Sequence, residues 1–204
     1  MKCKFEGEEL VLASHNRGKA KELLDLLQPL GIRVLLAADL GLPEPEEGAD
    51  TYIGNASLKA QHAALASGKP ALADDSGLAI AALGGAPGIY SARWAGPEKD
   101  FNKAMDRVLQ ELGSSQDRNA EFVCALSLAW PDGHTENVEA RVKGTILREK
   151  RGSKGFGYDP IFLPHQESRS FGEMTWEEKL PLTHRYAAFE KLKKIVFRDI
   201  DGTD

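Results

Sequence analysis

The sequence predicts an α/β protein, a mixed β-sheet flanked by helices, and three observations predict it. Short apolar runs alternate with helix-spaced stretches through the N-terminal third of the chain. Two strand-like segments then follow each other directly near the middle, and a last helix-spaced stretch closes the chain. The 204 residues are 42% hydrophobic, enough to bury a substantial core without disulfides or structural metals. Residues 1–204 read as one domain, with the central strand pair forming part of a second lobe that cannot be separated in sequence.

Each element has its own warrant. "ELVLAS" (9–14) is a short buried strand, and "NRGKAKELLDLL" follows with Ala20, Leu23, Leu24 and Leu27 on one helical face. Asn16 is the expected N-cap of that helix. "GIRVLLAA" reads as a second strand and "LPEPEEGAD" as an exposed loop. Ala56, Ala60, Ala63 and Ala64 mark a close-packed helix over 55–67, after which "PALADD" returns as a strand and Ser76-Gly77 starts a turn. Phe101, Ala104, Met105, Val108, Leu109 and Leu112 mark the next helix. "EFVCALSLAW" and "ENVEARVKGTIL" are strands that turn at Gly133. The last helix begins near Thr183, with Tyr186, Phe189, Leu192, Ile195 and Val196 facing inward.

Composition narrows the function. The formal net charge is -5 and no block of like charges dominates, which argues against a nucleic-acid partner but leaves room for a small anionic ligand. Cys3 and Cys124 match no metal-ligand spacing, and Cys124 lies in an apolar run that suits a buried structural thiol. "MKCKFEGEEL" has no apolar signal core and no stretch reaches membrane-spanning length, so the expectation is a cytoplasmic protein with no membrane partner.

Five stretches carry chemically interesting residues. "SHNRGK" (Ser14, His15, Asn16, Arg17, Gly18, Lys19) lies where a strand gives way to a helix, a place suited to phosphate as well as to an ordinary cap. It is not a Walker A loop, because Ala13 and Ala20 occupy positions that need Gly and Ser or Thr. "PEPEEG" puts Glu44, Glu46 and Glu47 in one loop, either simply solvated or folded back to make a hard-oxygen Mg²⁺ site. "ADDSG" ends an apolar strand in two carboxylates, Asp74 and Asp75, that should point to opposite sides. "GSKGFGYDP" surrounds Phe156 and Tyr158 with glycines, as a base-stacking surface or as a turn filling the core. "EEKLPLTHR" brings Lys179, His184 and Arg185 to the start of the last helix, against the macrodipole unless a ligand or surface pairing compensates.

In this order the five stretches resemble the non-canonical purine nucleoside triphosphate pyrophosphatases, the inosine/xanthosine triphosphate pyrophosphatase family in its bacterial form. The likeness runs from Leu10 to about Leu192 and is densest in "ALADDSGLAIAALGGAPGIYSARWAG". It implies an elongated structure of two lobes with the active site in the cleft between them, usually as a homodimer. It also implies Mg²⁺-dependent hydrolysis of ITP, dITP and XTP to the monophosphate and pyrophosphate. By the same resemblance Asp75 is the proton acceptor and a metal ligand, and Glu46 the second carboxylate at the metal. Ser14 to Lys19, Ser76, Phe156, Gly157, Tyr158, Asp159, Lys179, His184 and Arg185 are implied to hold the substrate. Lys59 is a weaker candidate to offset phosphate charge, and Asp74 is expected to orient a neighbour such as Lys59 or to sit behind the residues that touch the substrate. One departure stands out: the family commonly has Glu where this chain has Gly54. That favours the competing class, a nucleotide-binding regulator without catalysis, whereas intact Glu46 and Asp75 count against it.

Overall fold

The computed structural model describes residues 4–197. In chain order its elements are β1 (Glu9–Leu12), α1 (Arg17–Leu27), β2 (Arg33–Leu36), α2 (Tyr52–Ser67) and β3 (Ala71–Ile80). They continue with α3 (Ser91–Trp94), α4 (Phe101–Leu112), β4 (Asn119–Ala129), β5 (Thr135–Ile146), β6 (Phe162–Pro164), α5 (Trp176–Lys179) and α6 (His184–Val196). The strands form one sheet in the order β2-β1-β3-β4-β5-β6. β1 runs parallel to both β2 and β3, while β6 is antiparallel to β5, so the sheet is mixed as the sequence predicts.

Local chemistry explains the boundaries that matter for function. Asn16 adopts an extended backbone and its side chain accepts from the N–H groups of Gly18 and Lys19, which starts α1. Helix α2 begins three residues earlier than the alanine spacing suggests, because Thr51 caps it by accepting from the Gly54 N–H at 3.1 Å. The alanines report only the face that packs.

Strand β3 runs on through Ile80, so Ser76 and Gly77 are extended rather than the start of a turn. A Cβ on Gly77 would stand 2.2 Å from the Gly88 carbonyl oxygen and 2.6 Å from Ser91 Oγ. That glycine answers a close backbone approach, not a turn. Ser91 Oγ completes the contact, accepting from the Leu78 N–H at 2.9 Å and donating to the Gly88 carbonyl at 2.6 Å. In α6 the buried face carries Arg185, Ala188, Phe189, Leu192 and Val196, while Tyr186 and Ile195 are half-buried. An arginine stands where the apolar spacing suggests none.

The chain divides into two compact units, and β3, β4 and β5 each contribute residues to both. Within the described residues the first comprises 4–75, 124–140 and 185–197. Its core includes Val11, Ala13, Ala60, Ala63, Ala71, Ala73 and Ala129, small side chains that let backbones approach closely. Cys124 is buried here, and burial pushes its thiol pKa up to about 12, consistent with an inert structural thiol.

The second unit comprises residues 76–123 and 141–184. Its core is aromatic: the Phe122 and Phe162 ring centroids lie 4.3 Å apart, and those of Phe162 and Phe171 5.5 Å apart. Helix α4 adds Ala104, Met105, Val108 and Leu112, the face its spacing predicts. Among the described residues no helix is long and apolar enough to cross a membrane.

Candidate active site

Because β3 remains extended through Asp74 and Asp75, their side chains leave on opposite sides and meet different partners. Asp74 Oδ2 lies 3.2 Å from Lys19 Nζ and 3.1 Å from Arg185 Nη2. Arg185 also donates to Glu22, one helical turn beyond Lys19 on α1. Asp74, Glu22 and Arg185 are all buried. Burial opposes ionisation of Asp74, but Lys19, Arg185 and Lys59 outweigh it and hold its pKa well below the usual carboxylate range.

Asp75 has a different environment. Its Oδ2 accepts from Asn55 Nδ2 at 3.3 Å, and its Oδ1 lies 3.7 Å from Lys59 Nζ. Burial pushes the Asp75 pKa up; Lys19 and Lys59 pull against that rise, while Glu47 and Asp74 reinforce it. For Lys59, burial favours the neutral amine, yet Asp74, Asp75 and Glu47 outweigh burial and raise its pKa. One strand thus presents a firmly ionised carboxylate on one side and, on the other, a carboxylate with heightened proton affinity. Lys59 makes its ion pairs with Glu47 and Asp75, while the charge of Asp74 also acts on it; Asp74 itself pairs with Lys19 and Arg185.

The two N-terminal stretches reach this point by different routes. Asn16 spends its side chain on the α1 cap, Ser14 is buried and donates to the Asn16 carbonyl at 3.4 Å, and Arg17 is exposed. His15 Nε2 is 3.2 Å from the Leu42 carbonyl, and its Nδ1 is 3.7 Å from Glu44. In the acidic loop Glu46 is exposed, whereas Glu47 accepts from Lys59 at 2.5 Å. Among the described residues no three His, Cys, Asp or Glu side chains gather as a metal cage.

The second unit contains a separate group of candidate residues. Lys179 donates to Asp159 Oδ2 at 2.7 Å, and that oxygen also accepts the Phe156 N–H at 2.9 Å. The ammonium lies 4.8 Å from the Phe156 ring centroid. Gly155 has φ of 75°, and a Cβ there would meet Asp159 Oδ2 at 2.1 Å, so the turn requires glycine. Gly157 also has positive φ. Tyr158 does not offer its ring for stacking: it is buried, edge-on to Phe101, and its hydroxyl donates to the Ser91 carbonyl at 2.9 Å. Phe156 is only half-buried, the His184 ring stacks on Phe122 at 4.9 Å, and Ser76 lies half-buried in β3.

The model of the Ham1 family matches residues 10–195. The chain belongs to the Ham1 family. It is similar to a protein of Rhodospirillum centenum named dITP/XTP pyrophosphatase, 57% identical over 192 residues that cover 93% of this chain and 95% of the relative. A Zymomonas mobilis protein of the same name is 52% identical, covering 93% and 92%. Among solved structures, a Ham1 protein of Coxiella burnetii superposes with a TM-score of 0.85 at 39% identity, covering 93% of this chain and 98% of that one. The Staphylococcus aureus Ham1 protein gives 0.82 at 37%, covering 91% and 96%. The mixed α/β fold is therefore the Ham1 fold.

In this Ham1 chain Asp159→Asn should keep an oxygen for the Phe156 N–H while removing the negative charge that faces the buried Lys179 ammonium. A stability loss of about 1–3 kcal/mol is expected, read from urea unfolding midpoints.

Proposed function

We propose that this Ham1 chain hydrolyses the triphosphates of deaminated purines, ITP, dITP and XTP, to the monophosphate and pyrophosphate, clearing them from the nucleotide pool. The observation that carries the reading is Asp75, a buried carboxylate of raised pKa held by Asn55 and Lys59. Relatives that share more than half of their residues with this chain bear the name of that activity.

Magnesium is the proposed cofactor. A Mg²⁺ ion commonly takes one or two carboxylates and completes its shell with water and substrate phosphates, so a closed protein cage is not needed. Asp75 and a carboxylate of the acidic loop fit that donor set: Glu46 is the proposed second ligand, and Glu47 already leans toward Asp75 through Lys59. When bound, the ion would neutralise phosphate charge and lower the pKa of coordinated water.

The protein's own groups would do the rest. Asp75, held by Asn55 and Lys59, accepts the proton of the attacking water. Lys19 and Lys59 offset triphosphate charge, with Ser14, His15 and the start of α1 lining the phosphates. Phe156, Gly157, Asp159, Lys179 and His184 take the base. Hypoxanthine and xanthine carry an acceptor oxygen at position 6 where adenine carries an amino group, so a donor from His184 or a backbone N–H would leave adenine mispaired. Arg185 is engaged by Glu22 and Asp74, and its proposed part is to hold Asp74 rather than to touch the base.

A panel of ITP, dITP, XTP, ATP and GTP with and without Mg²⁺ tests the proposal. Pyrophosphate release should require the metal and should favour the deaminated purines over ATP by about 10²-fold or more. Release of orthophosphate, or equal rates across the panel, would overturn it. The proposed assembly is a homodimer in the cytoplasm, tested by light scattering and cell fractionation.

A further inference from the structure

Helix α2 meets Asp75 and the acidic loop at two places, one turn apart. Lys59 reaches Glu47 at 2.5 Å and Asp75 at 3.7 Å. Asn55, four residues earlier and so on the same helical face, makes the same double contact with a neutral side chain. Its Oδ1 accepts the Ala49 N–H at 3.0 Å, and its Nδ2 donates to Asp75 Oδ2 at 3.3 Å. The orientation of the carboxamide follows from its partners: a backbone N–H needs the oxygen end, which turns the amino end toward the carboxylate. Asn55 is 2% exposed, so water competes weakly for either bond.

Gly54 supplies the room. A Cβ there would stand 2.6 Å from the Ala49 Cβ and 3.0 Å from Thr51 Oγ1. With this loop packing a side chain at position 54 would require a shift against Ala49, the residue whose N–H Asn55 accepts. Meanwhile the Gly54 N–H donates to the Thr51 cap, so cap, glycine and loop pack together. The residue that departs from the family pattern is thus the one the loop rests on.

We infer that Asn55 is a positioning residue for the hydrolysis, holding the Asp75 carboxylate and the acidic loop at one spacing, and that Gly54 lets the loop lie against α2. With Asn55 at one oxygen and Lys59 beside the other, the carboxylate plane is fixed before substrate arrives. The inference rests on reading Asp75 as the proton acceptor.

Asn55→Asp and Asn55→Ala separate the two contacts. The aspartate keeps an oxygen for Ala49 but has no donor for Asp75. Its kcat for dITP should fall by about 10- to 100-fold with KM nearly unchanged, and the Ala49 amide should stay protected from hydrogen exchange. The alanine variant should show the same kcat loss with faster exchange at Ala49, and Gly54→Ala should likewise speed exchange there. Asn55→Asp with kcat within about twofold of the parent, or Asn55→Ala with unchanged exchange at Ala49, would overturn the inference. A parent that releases no pyrophosphate would refute the proposed function instead, and the exchange comparison would still decide whether Asn55 holds the loop.

Discussion

Asp75→Asn is expected to lower kcat by on the order of 10³-fold or more while leaving nucleotide binding measurable. The substitution keeps the shape of the side chain and one oxygen, so the Asn55 donor at Oδ2 still has an acceptor. What is lost is a basic oxygen at this position, together with the negative charge that Lys59 faces. A neutral amide can neither take the proton from the attacking water nor serve as a strong hard-oxygen ligand. Lys19 is expected to stay in place, because its partner is Asp74 on the other side of the strand. Binding of a non-hydrolysable dITP analogue, measured by calorimetry beside single-turnover rates, checks both halves. A variant that releases pyrophosphate at near-parent rates would remove Asp75 from the chemistry.

Much of this region was legible in the sequence, because the signals are local. The strand-to-helix switch at Asn16 and the opposite faces of Asp74 and Asp75 follow from cap chemistry and from the two-residue period of a strand. Other features depend on pairings far apart in the chain. Glu22 and Arg185 are 163 residues apart, and each lies on a helix face where spacing alone suggests an apolar partner or solvent. Asn55 and Lys59 share a four-residue spacing on α2, yet the surrounding alanines dominate that pattern and draw attention to packing. Gly77 reads as a turn former until the Gly88 carbonyl is seen pressed against it. Tyr158 reads as a stacking ring until its hydroxyl is traced to the Ser91 carbonyl. In each case a local preference was overridden by a partner that only the fold supplies.

Asp74→Asn should act on stability rather than on the proton transfer itself. In the parent, Lys19 and Arg185 converge on one buried oxygen of Asp74, and Arg185 also meets buried Glu22. The four groups are two cations and two anions, so they balance. Neutralising Asp74 leaves a net positive charge in a site with little water, and removing one partner of a buried ionic group typically costs about 3–5 kcal/mol. The pH dependence has a definite sign. The folded pKa of Asp74 lies below its ordinary value of 3.8, so its ionised form favours the folded state. That contribution is fully present above the unfolded pKa and is lost as pH falls through the folded value. Urea unfolding at pH 7 should therefore show the full deficit of the variant, and the gap to the parent should narrow below about pH 4. A constant gap from pH 7 to strong acid would mean that packing, not charge, sets the cost. A gap near zero at pH 7 would show that the cluster contributes nothing to folding.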